Sequence, residues 1–368
     1  MAGAKLGERF VLTSYGESHG RAVGAVVEGC PPGLPIKLEE IQSELDLRRP
    51  GQSKVTSARS ELDRVEILSG IFNDRTTGTP IGMLVWNKDV DSRPYEELGH
   101  KPRPGHADLP AWIKYGGFND PRGGGYFSAR LTSTFVMGGV IARKLLRTLF
   151  NTKIISYVTE IGGIRAKEVS LDMAERDRYS NEVRCPDPDA AKQMVEAILH
   201  ARREGDSVGG IIECVVQNLP AGLGEPIFSS IDSDMSRALF SIPAVKGVEF
   251  GAGFKVANLR GSENNDQYEY QDGLVISTSN NSGGILGGLT TGMPLTTRIA
   301  FKPPSSIARP QRSVNLLLKK DEELIVQGRH DPCVLPRAVP VVDSVVALIL
   351  ADHAIRAGSV PPVLKEMK

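Results

Sequence analysis

Three segments of the chain predict helices, two from long apolar runs and one from its N-terminal signals. Thr132 to Phe150 is mostly apolar and carries its basic residues towards the end, where cations favour a helix dipole. A second helix is predicted from Asp187-Pro188, an N-cap followed by a first-turn proline, to about Arg203. The third segment, Val341 to about Arg356, is nearly all apolar and predicts a buried helix.

Three shorter segments are rich in β-branched residues and bounded by Gly, Pro or Asn. They predict strands at Val208 to Val216, Val248 to Val256 and Thr296 to Phe301. Helices and strands do not alternate in regular βαβ order, which favours an α+β fold over a doubly wound sheet. Glycine and proline are spread through the length, so we expect a single domain spanning residues 1–368.

Charge is balanced over the whole chain. Lys and Arg total 44 against 44 Asp and Glu, so no net field attracts nucleic acid or an anionic membrane, and any anion site must be local. We therefore expect neither a nucleic-acid nor a membrane partner.

The cysteines and the N-terminal residues indicate the cellular compartment in which we expect the protein. The four cysteines are scattered without a Cys-x-x-Cys pair, which predicts reduced thiols, and no His, Cys, Asp or Glu set has metal-ligand spacing. The first residues lack the apolar core of a signal peptide, and no later apolar run is expected to approach the ~18 residues of a membrane span. We expect a cytoplasmic protein without a bound metal.

Two histidines lie in short motifs of glycine, proline and charge. His19 lies in Gly16-Glu17-Ser18-His19-Gly20, and His106 lies within Lys101 to Asp108. A histidine on a shaped loop is suited to proton transfer. Asp331 is a third candidate, between Arg329 and Arg337, although it can also form a turn with Pro332. For His100, His200 and His353 a structural role is favoured.

Cations recur in the loops of the first 130 residues. Arginine binds carboxylate or phosphate through two hydrogen bonds, and nearby glycines expose backbone N–H groups, so the set suits a small polyanion. A solvated basic surface is the alternative for any single member. The cations are Arg48, Arg49, Lys54, Arg59, Arg103, Arg122 and Arg130.

Two glycine-rich tracts add candidate ligand contacts. Residues 122–130 lead into the predicted helix at Thr132, where free N–H groups favour an anion, yet they lack the spacing of a P-loop or a dinucleotide fingerprint. The tract 280–288, followed by Lys302 to Ser306, offers another place for a phosphate or a flat ring. Tight turns between strands are the alternative for its glycines.

Taken in order, these motifs resemble those of the chorismate synthases, from about Phe10 to about His353. The matching segments are 16–20, 48–52, 76–81, 102–108, 128–130, 245–249, 283–288, 302–306 and 329–332. The resemblance implies a β-α-β sandwich with central helices between antiparallel sheets, assembled as a homotetramer. It also implies anti-1,4-elimination of phosphate from 5-enolpyruvylshikimate 3-phosphate, giving chorismate at the seventh step of the shikimate pathway to aromatic amino acids.

The resemblance implies a requirement for reduced FMN (FMNH2), in which electron donation from the flavin helps the allylic phosphate leave. By resemblance, His19 protonates the departing phosphate, His106 protonates the flavin near N1, and Asp331 acts with flavin N5 to remove the C6 proton. The implied substrate-binding residues are Arg48, Arg49, Arg103, Arg130 and Arg337. The implied flavin contacts are Tyr126, Phe127, Ser128, Pro243, Ala244, Gly287, Lys302, Pro303, Pro304, Ser305, Ser306 and Arg329. Arg48 and Lys54 match positions assigned to NADPH, a possible flavin reductant.

The chain departs from the commonest family pattern in three places. Tyr126-Phe127 replaces Arg-Ser, Leu131 stands where glutamate is frequent, and Pro243 stands where asparagine is often found. We expect backbone contacts or ring stacking at the first of these. Another flavin or phosphate lyase and a non-catalytic anion-binding protein are the alternatives, and the joint presence of His19, His106 and Asp331 speaks against the latter.

Overall fold

Two five-stranded antiparallel sheets enclose a layer of helices in this computed structural model, which describes residues 3–56, 62–88, 95, 99–326, 328 and 330–365. The first part of the chain forms β1 (Lys5–Leu6), β2 (Val11–Gly16), β3 (Ala22–Glu28), β4 (Val65–Ile67), β5 (Ile71–Phe72), β6 (Arg75–Thr76) and β7 (Ile81–Trp86). The first sheet has the strand order β1-β2-β3-β7-β4, and β5 and β6 form a separate hairpin.

The rest of the chain forms β8 (Lys153–Ile161), β9 (Ile164–Arg165), β10 (Gly210–Gln217), β11 (Val245–Phe250), β12 (Tyr268–Gln271), β13 (Leu274–Ser277), β14 (Ile285–Leu286), β15 (Leu289–Thr290), β16 (Leu295–Phe301), β17 (Gln311–Asn315) and β18 (Lys320–Leu324). The second sheet has the strand order β11-β16-β10-β8-β9. The strands outside it pair as the hairpins β12–β13, β14–β15 and β17–β18. In register, Ser156, Cys214 and Thr297 form one buried row across three strands, so this face of the sheet packs on the helices.

The helices are α1 (Leu38–Arg48), α2 (Asp108–Tyr115), α3 (Thr132–Phe150), α4 (Leu171–Asp177), α5 (Pro188–Arg203), α6 (Ile231–Leu239), α7 (Gly261–Asn264) and α8 (Leu335–Arg356). Short 3₁₀ helices cover Arg122–Phe127, Ala129–Leu131 and Gly253–Asn258. Helix α3 packs on β2 and β3, α8 packs on β8 and β10, and the two helices pack on each other. A Cβ on Gly139 would lie 2.5 Å from Ser344 Cα, so this glycine allows the close crossing of α3 and α8.

The structure confirms the predicted α+β fold and the layer of helices between antiparallel sheets. Helix α3 has the predicted limits, and the Asp187 side chain caps α5 by accepting from the backbone N–H groups of Asp189 and Ala190. Strands β10 and β16 lie within two residues of their predicted limits.

Two predicted limits were wrong. Helix α8 begins at Leu335, six residues before Val341, because Pro336 occupies its first turn, where no backbone N–H is needed, and Pro340 is accommodated inside the helix. Strand β11 ends at Phe250 rather than Val256, because Gly251 adopts a left-handed φ of 54° and the chain turns into a 3₁₀ helix.

The prediction that no apolar run approaches the length of a membrane span was also wrong for α8. This helix has 22 residues, and its 18-residue window has a mean hydropathy of 1.8. In the fold, 94% of that window is buried, which is typical of the core helix of a soluble protein.

Candidate active site

A cavity of about 810 Å³ lies where the N-terminus of α8, the start of α3 and the segments after α6 and β16 meet. Eight of the described residues that line it are Lys or Arg, whereas Asp331 is the single carboxylate among them. The cavity is therefore suited to an anionic ligand. Its cations are Lys5, Arg48, Arg103, Arg130, Arg237, Lys246, Lys302 and Arg337.

Most of the site residues predicted from the sequence line this cavity. His106, Asp331 and four of the five predicted substrate-binding arginines are among them. The predicted flavin contacts that line it are Tyr126, Phe127, Ser128, Pro243, Ala244, Lys302, Pro304, Ser305 and Ser306.

Several predicted residues are not part of the lining. Arg49 lies 3.5 Å from Asp46 near the surface, and Lys54 is 61% exposed and 3.7 Å from Glu182. Gly287 lies in the β14–β15 turn. Of the remaining predicted positions, Pro303 lies between two lining residues, Arg122 pairs with Asp120, and Arg59 and Arg329 lie outside the described residues.

His106 is held by a carboxylate two residues further along the chain. Its Nδ1 lies 2.6 Å from Oδ1 of Asp108, and the same carboxylate binds Arg103 through Nε at 2.7 Å and Nη2 at 2.9 Å. Burial favours a higher pKa for Asp108, but the hydrogen bonds from Arg103 and His106 outweigh it and hold that pKa well below its usual range. The loop thus carries an ionised Asp108 between a cation and an imidazole.

The loop of His106 is joined to the segment after β16. Lys302 Nζ lies 3.0 Å from the carbonyl oxygen of Gly105, and Ser305 Oγ donates to the same oxygen at 2.7 Å. Arg103 Nη1 donates to Ser306 Oγ at 3.1 Å. Burial, assisted by the charge of Lys246, lowers the pKa of Lys302. These contacts place predicted flavin-binding residues directly beside His106.

Two of the cavity arginines share a buried carboxylate. Arg48 Nη1 lies 2.9 Å from Oδ2 of Asp63, and Arg130 Nη1 donates to Oδ1. Arg48 also donates to the Thr132 hydroxyl and the Ala129 carbonyl, at the start of α3. These bonds fix both guanidinium groups before any ligand is present.

His19 lies behind the cavity wall rather than in its lining. It is 6% exposed, and a Cβ on the cavity-lining Gly123 would come within 2.4 Å of its Cδ2. Asn87 holds this loop by donating to the carbonyls of Glu17 and Gly20, at 3.0 and 2.8 Å, and it accepts from Arg130 Nε at 2.9 Å. The next glycine packs against the other histidine, because an added Cβ on Gly124 would lie 3.2 Å from Cε1 of His106.

Asp331 and Arg337 meet at the N-terminus of α8. Arg337 Nη1 donates to Oδ2 of Asp331, and Arg337 Nε donates to the Arg48 carbonyl at 3.0 Å. This pair connects the predicted base to the group of arginines around Asp63.

Sequence reasoning missed Asp63, Asn87 and Asp108 as parts of the site. Asp108 could have been found, since it follows His106 by two residues in the same motif. No local pattern marks Asp63 or Asn87, because their partners are distant in the sequence.

Comparison with known proteins identifies the family of this chain. Residues 10–355 match the family described as chorismate synthase. The chorismate synthase of Korarchaeum cryptofilum is 54% identical over 97% of this chain and 99% of its own length, and that of Methanosarcina mazei is 52% identical over 98% and 99%. A solved crystal structure of chorismate synthase superimposes with a TM-score of 0.75 at 30% identity, covering 95% of this chain and 93% of that one. The chain therefore belongs to the chorismate synthase family.

Proposed function

We propose that this protein is a carbon-oxygen lyase that removes phosphate from 5-enolpyruvylshikimate 3-phosphate by anti-1,4-elimination and releases chorismate. The observation that carries the proposal is the convergence of His106, Asp331 and eight cations on one cavity in a member of this family. A substrate with one phosphate and two carboxylates matches that charge.

Substrate binding is assigned to the arginines already fixed in the cavity wall. Arg48 and Arg130 are held by Asp63, Arg103 by Asp108, and Arg337 by Asp331. Because these guanidinium groups are held before binding, little side-chain entropy is lost when the substrate arrives. Arg49 is a substrate contact on resemblance alone.

The residues present fit reduced FMN. The cavity volume lies within the range of about 300–1,000 Å³ typical of ligand sites, and its wall offers hydroxyls at Ser128, Ser305 and Ser306 beside Lys302. Tyr126 and Phe127 line the cavity where the family usually has Arg-Ser, and their rings are available to stack on a flat ligand. When bound, reduced FMN supplies transient electron donation that helps the allylic phosphate leave.

Proton transfer is assigned to three side chains. By resemblance to the family, His106 would hold a proton for flavin N1 when the cofactor is bound, and Asp331 would take part in removing the C6 proton of the substrate. His19 is assigned to the departing phosphate, with Gly123 between its ring and the cavity. Each residue type transfers protons near neutral pH when its surroundings tune it.

NADPH as the flavin reductant, the homotetramer and the cytoplasmic location are further proposals that rest on the family. The two residues matched to NADPH differ in burial, since Arg48 is 2% exposed and Lys54 is at the surface. Light scattering on a size-exclusion column tests the tetramer, with about four times the 39.7 kDa chain mass as the expected result.

The deciding experiment is anaerobic turnover of 5-enolpyruvylshikimate 3-phosphate with chemically reduced FMN, following chorismate absorbance and phosphate release together. Equal appearance of both products is expected, and omission of FMN is the control. A second arm in air, with NADPH and oxidised FMN, tests whether the protein reduces its own flavin. Absence of product with FMN shown to be bound would overturn the proposed reaction and favour another flavin-dependent lyase.

A further inference from the structure

The carboxylate of Asp108 is shared between His106 and Arg103. Its Oδ1 lies 2.6 Å from His106 Nδ1 and 2.9 Å from Arg103 Nη2, and its Oδ2 lies 2.7 Å from Arg103 Nε and 3.0 Å from the Arg103 backbone nitrogen. One carboxylate therefore binds the imidazole, the Nε–Nη2 edge of the guanidinium group and the Arg103 backbone.

Hydrogen bonds hold the backbone of the loop that carries Arg103 and His106. The His106 backbone N–H donates to the Arg103 carbonyl at 3.1 Å, and Gly105 between them has a left-handed φ of 71°. Lys302 and Ser305 bind the Gly105 carbonyl from the segment after β16. The backbone that carries the His106 ring, which is 20% exposed at the cavity, is thus held by hydrogen bonds within the loop and from the segment after β16.

Charges around His106 oppose each other. Arg103 Nη2 lies 3.1 Å from Nδ1 and 3.3 Å from Nε2 of His106, and the Lys302 ammonium group binds the carbonyl of Gly105, the residue before His106. Asp108 is the carboxylate in contact with His106 among the described residues, and its charge offsets theirs. A neutral contact in place of Asp108 would leave His106 facing cations alone.

We propose that Asp108 is a positioning residue for His106, which keeps a proton on Nδ1 and makes Nε2 the nitrogen that gains and loses a proton. The hydrogen bond at one ring nitrogen decides the tautomer of a histidine, and carboxylate-bound imidazoles are fixed in this way in other sites. The effect on turnover rests on the proposed function, whereas the tautomer and the protonation of His106 do not.

A role in the folding of α2 has to be separated from this one. Asp108 is the first residue of α2, where an acidic side chain favours the helix dipole. Loss of that effect would lower stability, but it would not change which ring nitrogen of His106 carries the proton. The test therefore reads the imidazole itself.

The experiment is ¹⁵N NMR of the ligand-free full chain labelled at histidine, with His106 assigned by His106→Gln, followed between pH 5 and 9. The wild-type protein is expected to show neutral His106 with a protonated Nδ1 and an unprotonated Nε2. In Asp108→Asn, the ratio of the Nδ1-protonated to the Nε2-protonated neutral form of His106 is expected to fall at least tenfold. Asp177→Asn, which alters a surface pair with Arg176, is the matched control and is expected to leave both observations unchanged.

Neutral wild-type His106 with the proton on Nε2, or an unchanged ratio of the two neutral forms in Asp108→Asn, would overturn the proposal. Should Asp108→Asn fail to fold, the wild-type tautomer remains the test, together with Asp108→Glu, in which partial retention of the wild-type ratio of the two neutral forms is expected. With reduced FMN and substrate, Asp108→Asn is expected to lower kcat through the misplaced His106 proton, and to raise KM because Arg103 loses the same carboxylate. A turnover assay that fails for every variant while the NMR results hold would reject the proposed reaction and keep the role of Asp108.

Discussion

Arg48 Nη1 lies 2.9 Å from Oδ2 of Asp63, and the Asp63 side chain is completely buried. Its second carboxylate oxygen accepts from Arg130, so one buried charge fixes two of the cavity cations. Burial favours a higher pKa for Asp63, but the charges of Arg48 and Arg130 outweigh it and lower that pKa. Asp63 is thus ionised in the folded protein over the physiological pH range.

Replacing Asp63 with Asn is expected to lower the free energy of unfolding by about 3–5 kcal/mol, because the substitution leaves buried guanidinium groups without their counter-charge. Urea unfolding at pH 7 measures the change, and Asp177→Asn at the surface is the control. Because the folded pKa is depressed, the stabilisation is present above pH 3.8 and is lost as the pH falls through the lower folded value. Equal stability of the two variants would contradict the prediction.

Arg130→Ala is expected to weaken substrate binding roughly ten- to hundredfold, since a charged hydrogen bond contributes about 1.5–3 kcal/mol and a substrate anion would be left unpaired. The dissociation constant, measured by calorimetry with oxidised FMN present, checks this. Arg176→Ala, which removes an exposed arginine of α4, is the matched control. An unchanged dissociation constant would remove Arg130 from the anion site.

His106→Ala is expected to leave FMN binding nearly intact and to reduce turnover by about 10²–10⁴-fold, the usual loss when an acid-base group is removed. FMN fluorescence titration and anaerobic turnover measure the two effects separately. His200→Ala, on the exposed face of α5, is expected to match the wild type in both. A wild-type rate in His106→Ala would show that His106 takes no part in proton transfer.

The sequence was most informative where the signal is local. The apolar run of α3 and the Asp187-Pro188 start of α5 depend on neighbouring residues, and both helices have the predicted limits. The start of α8 was missed because the effect of proline depends on its position within a helix, and Pro336 lies in the first turn.

Site residues whose role depends on contacts between distant parts of the chain could not be predicted from the sequence. Asp63 gains its role only when α1 and the start of α3 bring Arg48 and Arg130 together, 15 and 67 residues away in the sequence. Similarly, the burial of the His19 side chain depends on the glycine run that packs against it. Such long-range packing has no periodic pattern in the chain.

Gly123→Ala is expected to displace His19 and lower turnover beyond any effect of backbone strain. Gly123 has a φ of 60°, and an added Cβ would lie 2.4 Å from His19 Cδ2. Gly163→Ala is the matched control, because Gly163 has a φ of 82° and no heavy atom within 4 Å of an added Cβ. Both variants carry a strain of about 1–2 kcal/mol, so kcat compared at equal stability isolates the contact with His19. Equal kcat values would contradict a catalytic role for the placement of His19.

His353 makes the folded state sensitive to acid through a contact at the far end of α8. Its ring is buried with Nε2 3.1 Å from Oδ2 of Asp234, and Arg356 Nη1 lies 3.5 Å from the same oxygen. Burial, and secondly the charge of Arg356, lowers the pKa of His353 below 6.5, against the opposing effect of Asp234 and Asp352. The folded state therefore holds a neutral imidazole where the unfolded chain takes up a proton.

Because the folded pKa of His353 is depressed, its neutral form stabilises the fold above pH 6.5, and this stabilisation is lost as the pH falls below that value. The free energy of unfolding is expected to fall with a slope of at most about 1.4 kcal/mol per pH unit from this group. Urea unfolding of the wild type and His353→Gln between pH 7.5 and 5 measures the slope, which should be shallower in the variant. His200→Gln, at an exposed site on α5, is the control expected to keep the wild-type slope. A wild-type slope in His353→Gln would assign the acid sensitivity to other groups.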